Sequence, residues 1–206
     1  MCRPRRRLAP EQRRAQLLDI GARLFAERPY EEVWIEEVAE EAGVSRGLMY
    51  HYFPTKRDFF AAIVRRSSEQ LLAATEPDPQ LPVTGQLAAG LDAYIAHFAE
   101  HEHGVRAVNQ GALSADPGIR DIVDAQIGMQ ERRIVEALGL GGDAAEVSGV
   151  AVRGWLVFVR TVCLDWLDHR TVTPEQLRQL CLRTLAGALG VGEPGLGAAG
   201  TDAGRP

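Results

Sequence analysis

The sequence has few cysteines, few aromatic residues and no strand pattern. Its three cysteines, Cys2, Cys163 and Cys181, are widely spaced and include no C-x-x-C pair. No disulfide framework is therefore predicted, and a reducing cytoplasm fits. No segment alternates apolar and polar residues with a period of two between turn signals, which argues against a β fold. Neither a P-loop nor a nucleophile motif is present, so the sequence gives little reason to expect an enzyme.

Export and membrane insertion are also poorly supported. The basic start, "MCRPRRRLAPEQRR", is not followed by an apolar stretch, so we expect no secretory signal. The most apolar segment, 150–167, contains Arg153, Arg160 and Asp165. Each of these charges costs about 2.5–3.5 kcal/mol near a bilayer centre. The segment is therefore interpreted as a buried helix of a soluble, cytoplasmic protein with no membrane partner.

Positive charge is unevenly distributed along the chain. Residues 1–66 hold 13 Lys+Arg against 10 Asp+Glu, whereas the remainder holds 10 against 18, within a total net charge of -5. The N-terminal third is thus the part suited to a polyanionic partner. Its densest cations lie in "RPRRR", residues 3–7. This stretch is either an arm that enters the minor groove of DNA or a solvated basic tail.

The spacing of apolar residues predicts an all-α protein. Helices are predicted over residues 10–27, 35–42, 45–52, 55–75, 84–101, 105–113, 117–138, 143–169 and 174–189. The predicted domains are a flexible basic arm (1–9), a three-helix DNA-binding domain (10–66), a larger helical domain for ligand binding and dimerisation (67–189) and a disordered tail (190–206). Thr55 and Thr173 each begin a helix as a capping residue.

The two short helices between Ile35 and Pro54 have the pattern of a helix-turn-helix. Val38 and Ala42 of the first helix are predicted to point inward. Gly43 lies in the turn, where a positive φ is favourable for glycine. Ser45 can cap the second helix with its hydroxyl. The second helix is therefore expected to protrude from the surface, in a shape that fits the major groove of B-DNA.

The outward positions of the second helix combine positive charge, small size and aromatic rings. They are Arg46, Gly47, Tyr50 and His51. Arg46 can donate two hydrogen bonds to O6 and N7 of guanine. Lys56, at the start of the next helix, can hold a phosphate together with nearby backbone N–H groups. The alternative is that the aromatic residues only pack in a three-helix core. That alternative does not explain why these four residues share an exposed face.

The segment "IEEVAEEAGVSRGLMYHYFPTKRDFF" resembles the N-terminal domain of the TetR family of transcriptional regulators. The glycine turn, the aromatic run and the lysine occur at matching spacing, and the similarity covers about residues 11–63. It implies a repressor that binds a palindromic operator in double-stranded DNA as a homodimer and is released by a small ligand. Carried over by position, the expected DNA-binding residues are Ser45, Arg46, Gly47, Tyr50, His51, Tyr52 and Lys56.

Trp34 departs from the family pattern, which usually has Ser or Thr at this position. Tryptophan has no side-chain oxygen with which to cap the first short helix. We therefore expect Trp34 to pack against the first long helix, and a phosphate contact at this position is in doubt.

The segment 150–167 is apolar almost all round and must be covered on more than one side. The resemblance implies that one face lines a ligand cavity and that the other forms a dimeric four-helix bundle with the last helix. The alternative is a core within one chain. The stripe expected at the dimer contact is Leu177, Leu180, Cys181, Thr184, Leu185 and Ala188.

The candidate ligand-binding residues combine apolar bulk with a few polar tips, although each could equally pack in a core. They are Tyr94, Phe98, Asn109, Met129, Trp155 and Phe158. Arg153 lies in an apolar helix and needs a partner, which is either an acidic side chain or an anionic ligand. The sequence predicts no cofactor.

Two histidines, His97 and His101, lie four residues apart and so share a helix face, with His103 nearby. A zinc site is geometrically possible there. Histidines at a helix C-terminus are also explained by the helix dipole, and we predict no metal.

An all-α enzyme and a protein-interaction module are the rival functions. Asp165, Asp168 and His169 could form an acid-base set with the other histidines, but no nucleophile accompanies them. "GVGEPG", residues 190–195, matches G-x-G-x-x-G but follows a helix rather than a strand, so it lacks the context of a dinucleotide site. An interaction module would use the helix-turn-helix surface for protein contacts instead of DNA.

Overall fold

The protein is helical throughout the part that its computed structural model describes, residues 8–111, 113–139 and 143–190. This part contains nine α-helices, a short 3-10 helix at Tyr30–Glu32 and no strand, which confirms the predicted fold class. The helices are α1 (Pro10–Glu27), α2 (Ile35–Ala42), α3 (Arg46–Tyr52), α4 (Lys56–Ala74), α5 (Val83–Glu100), α6 (Glu102–Asn109), α7 (Pro117–Ala137), α8 (Asp143–His169) and α9 (Pro174–Ala188). Most of the basic arm and the predicted tail lie outside the described residues.

The chain divides into two compact units that do not follow the linear order of the predicted domains. The first comprises Met1–Glu76 and Ala96–Ile127, and the second comprises Pro77–Ile95 and Gly128–Pro206. Residues 96–127 belong with the N-terminal helices because Ala107, Leu113 and Ile119 are buried in the same core. The first unit therefore contains a segment from the middle of the chain.

The apolar faces of α1, α2 and α4 contribute most of the core of the first unit. Phe25 of α1 and Phe60 of α4 pack edge to face, with ring centroids 4.9 Å apart. Tyr30, in the 3-10 helix after α1, stacks on Phe25 at 5.8 Å and meets Phe60 at 5.0 Å. Such aromatic pairs contribute about 0.5–1.5 kcal/mol beyond the area they bury. They hold the connection between α1 and α2 in place.

The segment predicted as a helix over 105–113 begins and ends earlier in the structure, at Glu102 and Asn109. Gly104, which falls between the predicted helices 84–101 and 105–113, lies inside α6. An acidic residue at a helix start is favoured by the helix dipole. Glu102 also accepts a hydrogen bond from Arg106 one turn later, at 2.9 Å. These local interactions outweigh the modest cost of a glycine in the first turn.

In the second unit, α8 and α9 pack against each other. The indole N–H of Trp155 on α8 donates to the backbone carbonyl of Cys181 on α9 at 2.8 Å. The predicted cap of α9 is present, because Thr173 Oγ1 accepts from the backbone N–H of Gln176 at 3.2 Å. Three members of the predicted dimer stripe are buried in this chain: Leu177, Cys181 and Leu185. They therefore face the chain's own core, whereas Leu180 and Ala188 stay exposed.

Only one helix in the described part, Glu146–His169, has the length and apolar composition to cross a membrane. One face of this helix is buried and the other is exposed. Arg153, on its exposed face, pairs with the carboxylate of Glu131 on α7, with Nε–O and Nη2–O distances of 2.7 and 3.1 Å. The partner that Arg153 needs is thus an acidic side chain of the same unit.

Close approach of α1 and α4 depends on a glycine. A Cβ atom added to Gly21 would lie 2.3 Å from Phe59 Cζ and 2.7 Å from Ile63 Cδ1. Phe59 is fully buried, so its ring cannot turn out into solvent without losing its packing. Only glycine therefore lets the two helices pack at this separation.

Replacing this glycine tests the packing. We expect Gly21→Ala to lower the free energy of unfolding by about 1–3 kcal/mol, because overpacking forces side chains out of their rotamers. Gly90→Ala in α5 is the control, since no atom lies within 4 Å of its added Cβ. The control should be neutral or stabilising by up to about 1 kcal/mol. Urea denaturation measures both, and equal effects of the two substitutions would contradict this account.

Candidate nucleic-acid interface

The connection between α2 and α3 is a tight turn through Gly43. This residue has φ of 63° and ψ of 39°, the left-handed conformation that glycine adopts without steric cost. The backbone N–H of Val44 donates back to the carbonyl of Ala39 at 2.9 Å, so the end of α2 is satisfied. Ser45 then begins α3, and its hydroxyl accepts from the backbone N–H of Leu48 at 3.2 Å. This is the helix-turn-helix that the sequence predicts.

Helix α3 is held to the core by one of its own residues and by the residue that follows it. Met49 is fully buried, and Phe53 just after the helix is almost fully buried. The rings of Phe53 and Phe59 lie 4.8 Å apart. Burying a side chain of this size contributes about 1.5–3 kcal/mol. With these two side chains pointing inward, the opposite face of α3 is presented to solvent.

The exposed face of α3 carries the predicted DNA-binding residues. The Arg46 side chain is 71% exposed. A Cβ atom added to Gly47 would meet only the Ser45 hydroxyl oxygen, at 4.0 Å. The space beside this residue is open, so a partner could approach the backbone closely. Tyr50 and His51 are exposed as well, and Tyr52 is half-buried. Leu48 also reaches the surface, although its apolar character gave no sign of this in the sequence.

A carboxylate on α2 connects two of these residues. Glu36 forms an ion pair with Arg46, and its Oε1 accepts a hydrogen bond from the Tyr50 hydroxyl at 3.4 Å. Its pKa lies below the ordinary value because its own backbone N–H favours the charged form, with further contributions from Arg46 and Tyr50. The carboxylate is therefore negatively charged at neutral pH. Sequence reasoning missed Glu36, which lies ten residues before Arg46 and depends on how α2 crosses α3.

Lys56 is the first residue of α4 and lies beside the 3-10 helix. Its ammonium is 4.3 Å from the centre of the Tyr30 ring, a cation–π contact, and donates to the carbonyl of Glu31 at 3.3 Å. Partial burial lowers the pKa of Lys56 from its ordinary value. The next residue, Arg57, makes a bidentate ion pair with Asp116, whose Oδ1 also caps α7 through the N–H of Ile119. These contacts fix the start of α4.

Trp34 does not pack against α1 as expected. It occupies the N-cap position of α2 without a side-chain cap, and the residue is 64% exposed. The reason is that the neighbouring positions Val33 and Ile35 are buried, so the extended backbone turns the tryptophan outward. A large aromatic side chain consequently lies at the surface of the helix-turn-helix.

The six candidate ligand residues fall in both units. Tyr94 and Trp155 are buried in the second unit, where the Trp155 N–H is already bonded to a carbonyl. Burial raises the pKa of Tyr94, so its hydroxyl stays protonated. Met129 is exposed, Phe158 is half-buried, and Phe98 and Asn109 belong to the first unit. The Asn109 amide donates to the carbonyl of Val105 at 2.8 Å.

An open groove of about 790 Å³ lies between α7 and α8 in the second unit. None of the six candidate ligand residues lines it. Its lining residues are Glu131, Arg132, Val135, Glu136, Glu146, Gly149, Val150, Arg153, Gly154 and Val157. Charged residues and the exposed valines of α8 thus share this surface.

The histidines near the end of α5 pack against each other. The rings of His97 and His101 stack with centroids 4.4 Å apart, and His97 Nε2 lies 3.2 Å from Ser67 Oγ, a hydrogen bond. Within the described residues, no three His, Cys, Asp or Glu side chains come together as ligands for a metal ion. Burial, with a smaller contribution from His101, lowers the pKa of His97 to about 4.

The all-α fold with an N-terminal helix-turn-helix is that of a bacterial transcriptional regulator, and sequence comparison identifies the family. The profile of bacterial regulatory proteins of the tetR family matches residues 17–63, and that of the tetracyclin repressor-like C-terminal domain matches residues 83–187. The chain belongs to the TetR family of bacterial regulatory proteins. This is a family of transcriptional regulators and not of enzymes, as the sequence predicts.

Similar proteins include both activators and repressors. The transcriptional activator FasR of Mycolicibacterium smegmatis is 27% identical over 116 residues, which are 55% of this chain and 52% of FasR. The transcriptional repressor KstR2 of the same organism is 32% identical over 102 residues, 46% of each chain. The chain thus spans about half the length of the curated relatives it matches.

Solved structures share the fold over most of the chain. A tetR-family transcriptional regulator from Streptomyces coelicolor superimposes with a TM-score of 0.82 at 29% identity, covering 89% of this chain and 83% of that one. FadR from Bacillus subtilis, in complex with stearoyl-CoA, has a TM-score of 0.65 at 16% identity and covers 84% and 98% of the two chains. At 16% identity, the similarity to FadR shows only that the two chains share a fold.

The low pKa of His97 predicts a pH dependence of stability. An unfolded histidine binds a proton below about pH 6.5, whereas folded His97 does so only below about pH 4. Stability is therefore fully present above pH 6.5 and falls as the pH drops towards 4, by up to about 3 kcal/mol. Denaturation midpoints measured between pH 7.5 and 4 should fall less steeply for His97→Gln than for the parent. Identical pH profiles would contradict the burial of His97.

Proposed function

We propose that the protein is a homodimeric, ligand-responsive repressor that binds a palindromic operator through α3. The observation that carries this proposal is the exposed face of α3, on which Arg46, Gly47, Tyr50 and His51 are presented together while Met49 and Phe53 anchor the helix. A protruding helix of this width fits the major groove, and arginine is the side chain best suited to guanine. Family membership supports the same function. The protein acts in the cytoplasm, where DNA is accessible.

The other predicted contacts have complementary roles. Ser45 and Tyr52, at the two ends of α3, are proposed to contact phosphates, and His51 is proposed to offer a ring edge to a base or a phosphate. Lys56 contributes a phosphate contact at the start of α4. The described residues 8–66 hold 9 Lys+Arg against 10 Asp+Glu, so the arginines before them supply the excess positive charge. An arm that reaches the minor groove would use that charge.

Dimerisation through α8 and α9 is supported by an apolar seam at the surface of α8. Its members are spaced by three and four residues along one helix face: Val147, Val150, Gly154, Val157 and Thr161. Val150 is 76% exposed in the single chain. Exposed Leu180 extends the apolar surface on α9. Such a/d spacing is typical of a helix that packs against a partner helix, and a two-fold axis would place two α3 helices on one operator.

The effector is proposed to bind in the C-terminal domain, with Tyr94, Trp155 and Phe158 supplying apolar surface. A neighbour of similar fold, the Bacillus subtilis FadR, is in complex with stearoyl-CoA, a ligand with a long acyl chain, which supports an effector with an apolar part. Effector binding releases DNA only if the ligand prefers the state in which the two α3 helices have the wrong separation. A thermal-shift screen followed by DNA-release assays would identify it.

The direct test is selection of duplexes from a randomised pool by the full-length protein. A regulator of this kind should enrich one inverted repeat, and binding to it should be saturable and survive nonspecific competitor. An enzyme or a protein-interaction module would enrich no sequence.

Substitution of Arg46 tests its role in base reading. We expect Arg46→Ala to weaken binding to the selected duplex by about 1–3 kcal/mol, the usual worth of a bidentate arginine–guanine contact. Binding to a scrambled duplex should change much less. Arg66→Ala, near the middle of α4, removes the same charge and is the control. Fluorescence anisotropy measures all four affinities, and equal losses for the two variants would point to charge alone.

An acidic residue in the α8 seam should prevent dimerisation. Val150→Asp would place a charge at the centre of the proposed contact, and we expect it to sediment as a monomer at concentrations where the parent is a dimer. Leu81→Asp, an equally drastic change at an exposed leucine before α5, should leave the dimer intact. A dimeric Val150→Asp protein would show that the seam is not the interface.

A further inference from the structure

Helix α2, which packs beside α3, carries four glutamates: Glu36, Glu37, Glu40 and Glu41. Three of them pair with arginines of the first unit: Glu36 with Arg46, Glu37 with Arg28, and Glu41 with Arg23. Arg46 is the one arginine of these three that lies on the recognition helix. The interaction of Glu36 therefore bears on DNA recognition, whereas the other two pairs join the scaffold helices.

The position of Glu36 is related to the missing side-chain cap at the start of α2. Trp34 is the N-cap residue and offers no oxygen to the free N–H groups of the first turn. The carboxylate of Glu36 lies in this turn, where the helix dipole and its own backbone N–H stabilise negative charge. Its side chain is 34% exposed, so it is held more firmly than a fully solvated glutamate. A fixed anion is thus presented to α3.

This anion restrains the two side chains that are best suited to reading bases. Glu36 accepts from Nη2 of Arg46 and from the Tyr50 hydroxyl through the same Oε1 atom. A guanidinium has five N–H donors, so Arg46 keeps Nη1 and the second hydrogen of Nη2 for O6 and N7 of a guanine. A phosphate contact, in contrast, is opposed by the neighbouring carboxylate. The arrangement favours base contacts over contacts with the sequence-independent backbone.

We propose that Glu36 is a positioning residue that sets sequence selectivity by holding Arg46 and Tyr50 in the orientation for base reading. This inference rests on the proposed DNA-binding function. Glu36 itself need not touch DNA, because its effect is exerted through the two side chains of α3. It follows that the substitution of Glu36 should alter the ratio of specific to nonspecific affinity more than it alters folding.

The test compares full-length variants on the duplex selected by the parent and on a scrambled duplex of equal length. Glu36→Ala should lower the operator-to-scrambled affinity ratio on the order of tenfold, with tighter scrambled binding and a salt slope steeper by about one phosphate contact. Glu36→Gln should retain most of the ratio, because its amide oxygen still accepts from Arg46 and Tyr50. Glu40→Ala, an equal charge change at an exposed position of α2, should leave the ratio unchanged.

A double substitution separates positioning from other effects. In an Arg46→Ala background, Glu36→Ala should lower the ratio much less than it does in the parent, since the residue it acts on is missing. The inference is overturned if Glu36→Ala stays within twofold of the parent's ratio, or if Glu40→Ala or Glu36→Gln lowers the ratio as much as Glu36→Ala. It is also overturned if the effect persists fully without Arg46. If the parent selects no sequence at all, the proposed function fails first.

Discussion

The attachment of a seven-residue helix to a hydrophobic core is the constraint on which DNA reading depends. A helix as short as α3 is not stable alone in water, because two turns recover too few hydrogen bonds to offset nucleation. Met49 and Phe53 provide the missing stability by packing into the core of the first unit. Since they occupy one face, Arg46, Tyr50 and His51 on the opposite face of α3 are directed towards solvent. The same packing that stabilises the helix therefore creates the reading surface.

Several arginines around α2 and α3 form ion pairs with glutamates of α2. Arg23 of α1, Arg28 just after it and Arg46 of α3 are each paired with a glutamate of α2. Selectivity then depends on where each cation is held rather than on how many there are. Nonspecific attraction would come mostly from the arginine-rich residues before the first helix, which leaves α3 free to discriminate between sequences.

Much of the helix-turn-helix could be predicted from the sequence, since local sequence signals determine its turn and its helix starts. Conformational preference explains Gly43 in the turn and Ser45 and Thr55 at helix starts. The helical period explains the inward apolar positions of α2. Features that depend on tertiary contacts were not predictable. The ion pair of Glu36 with Arg46, the outward Trp34 and the packing of residues 96–127 with the N-terminal helices all require knowing how helices cross. The candidate ligand-binding residues were the hardest to predict, because large apolar side chains line pockets and fill cores alike.

The central claim, that α3 lies in the major groove, is tested most directly by methylation of guanine N7 with dimethyl sulfate. This atom is accessible only from the major groove. At full occupancy of the selected duplex, the account predicts protection of guanine N7 in both half-sites by the parent. A Gly47→Glu variant should give no protection, since its new carboxylate would face the DNA from an open position on α3. Guanines that stay fully reactive under the bound parent, or equal protection by the variant, would contradict the account.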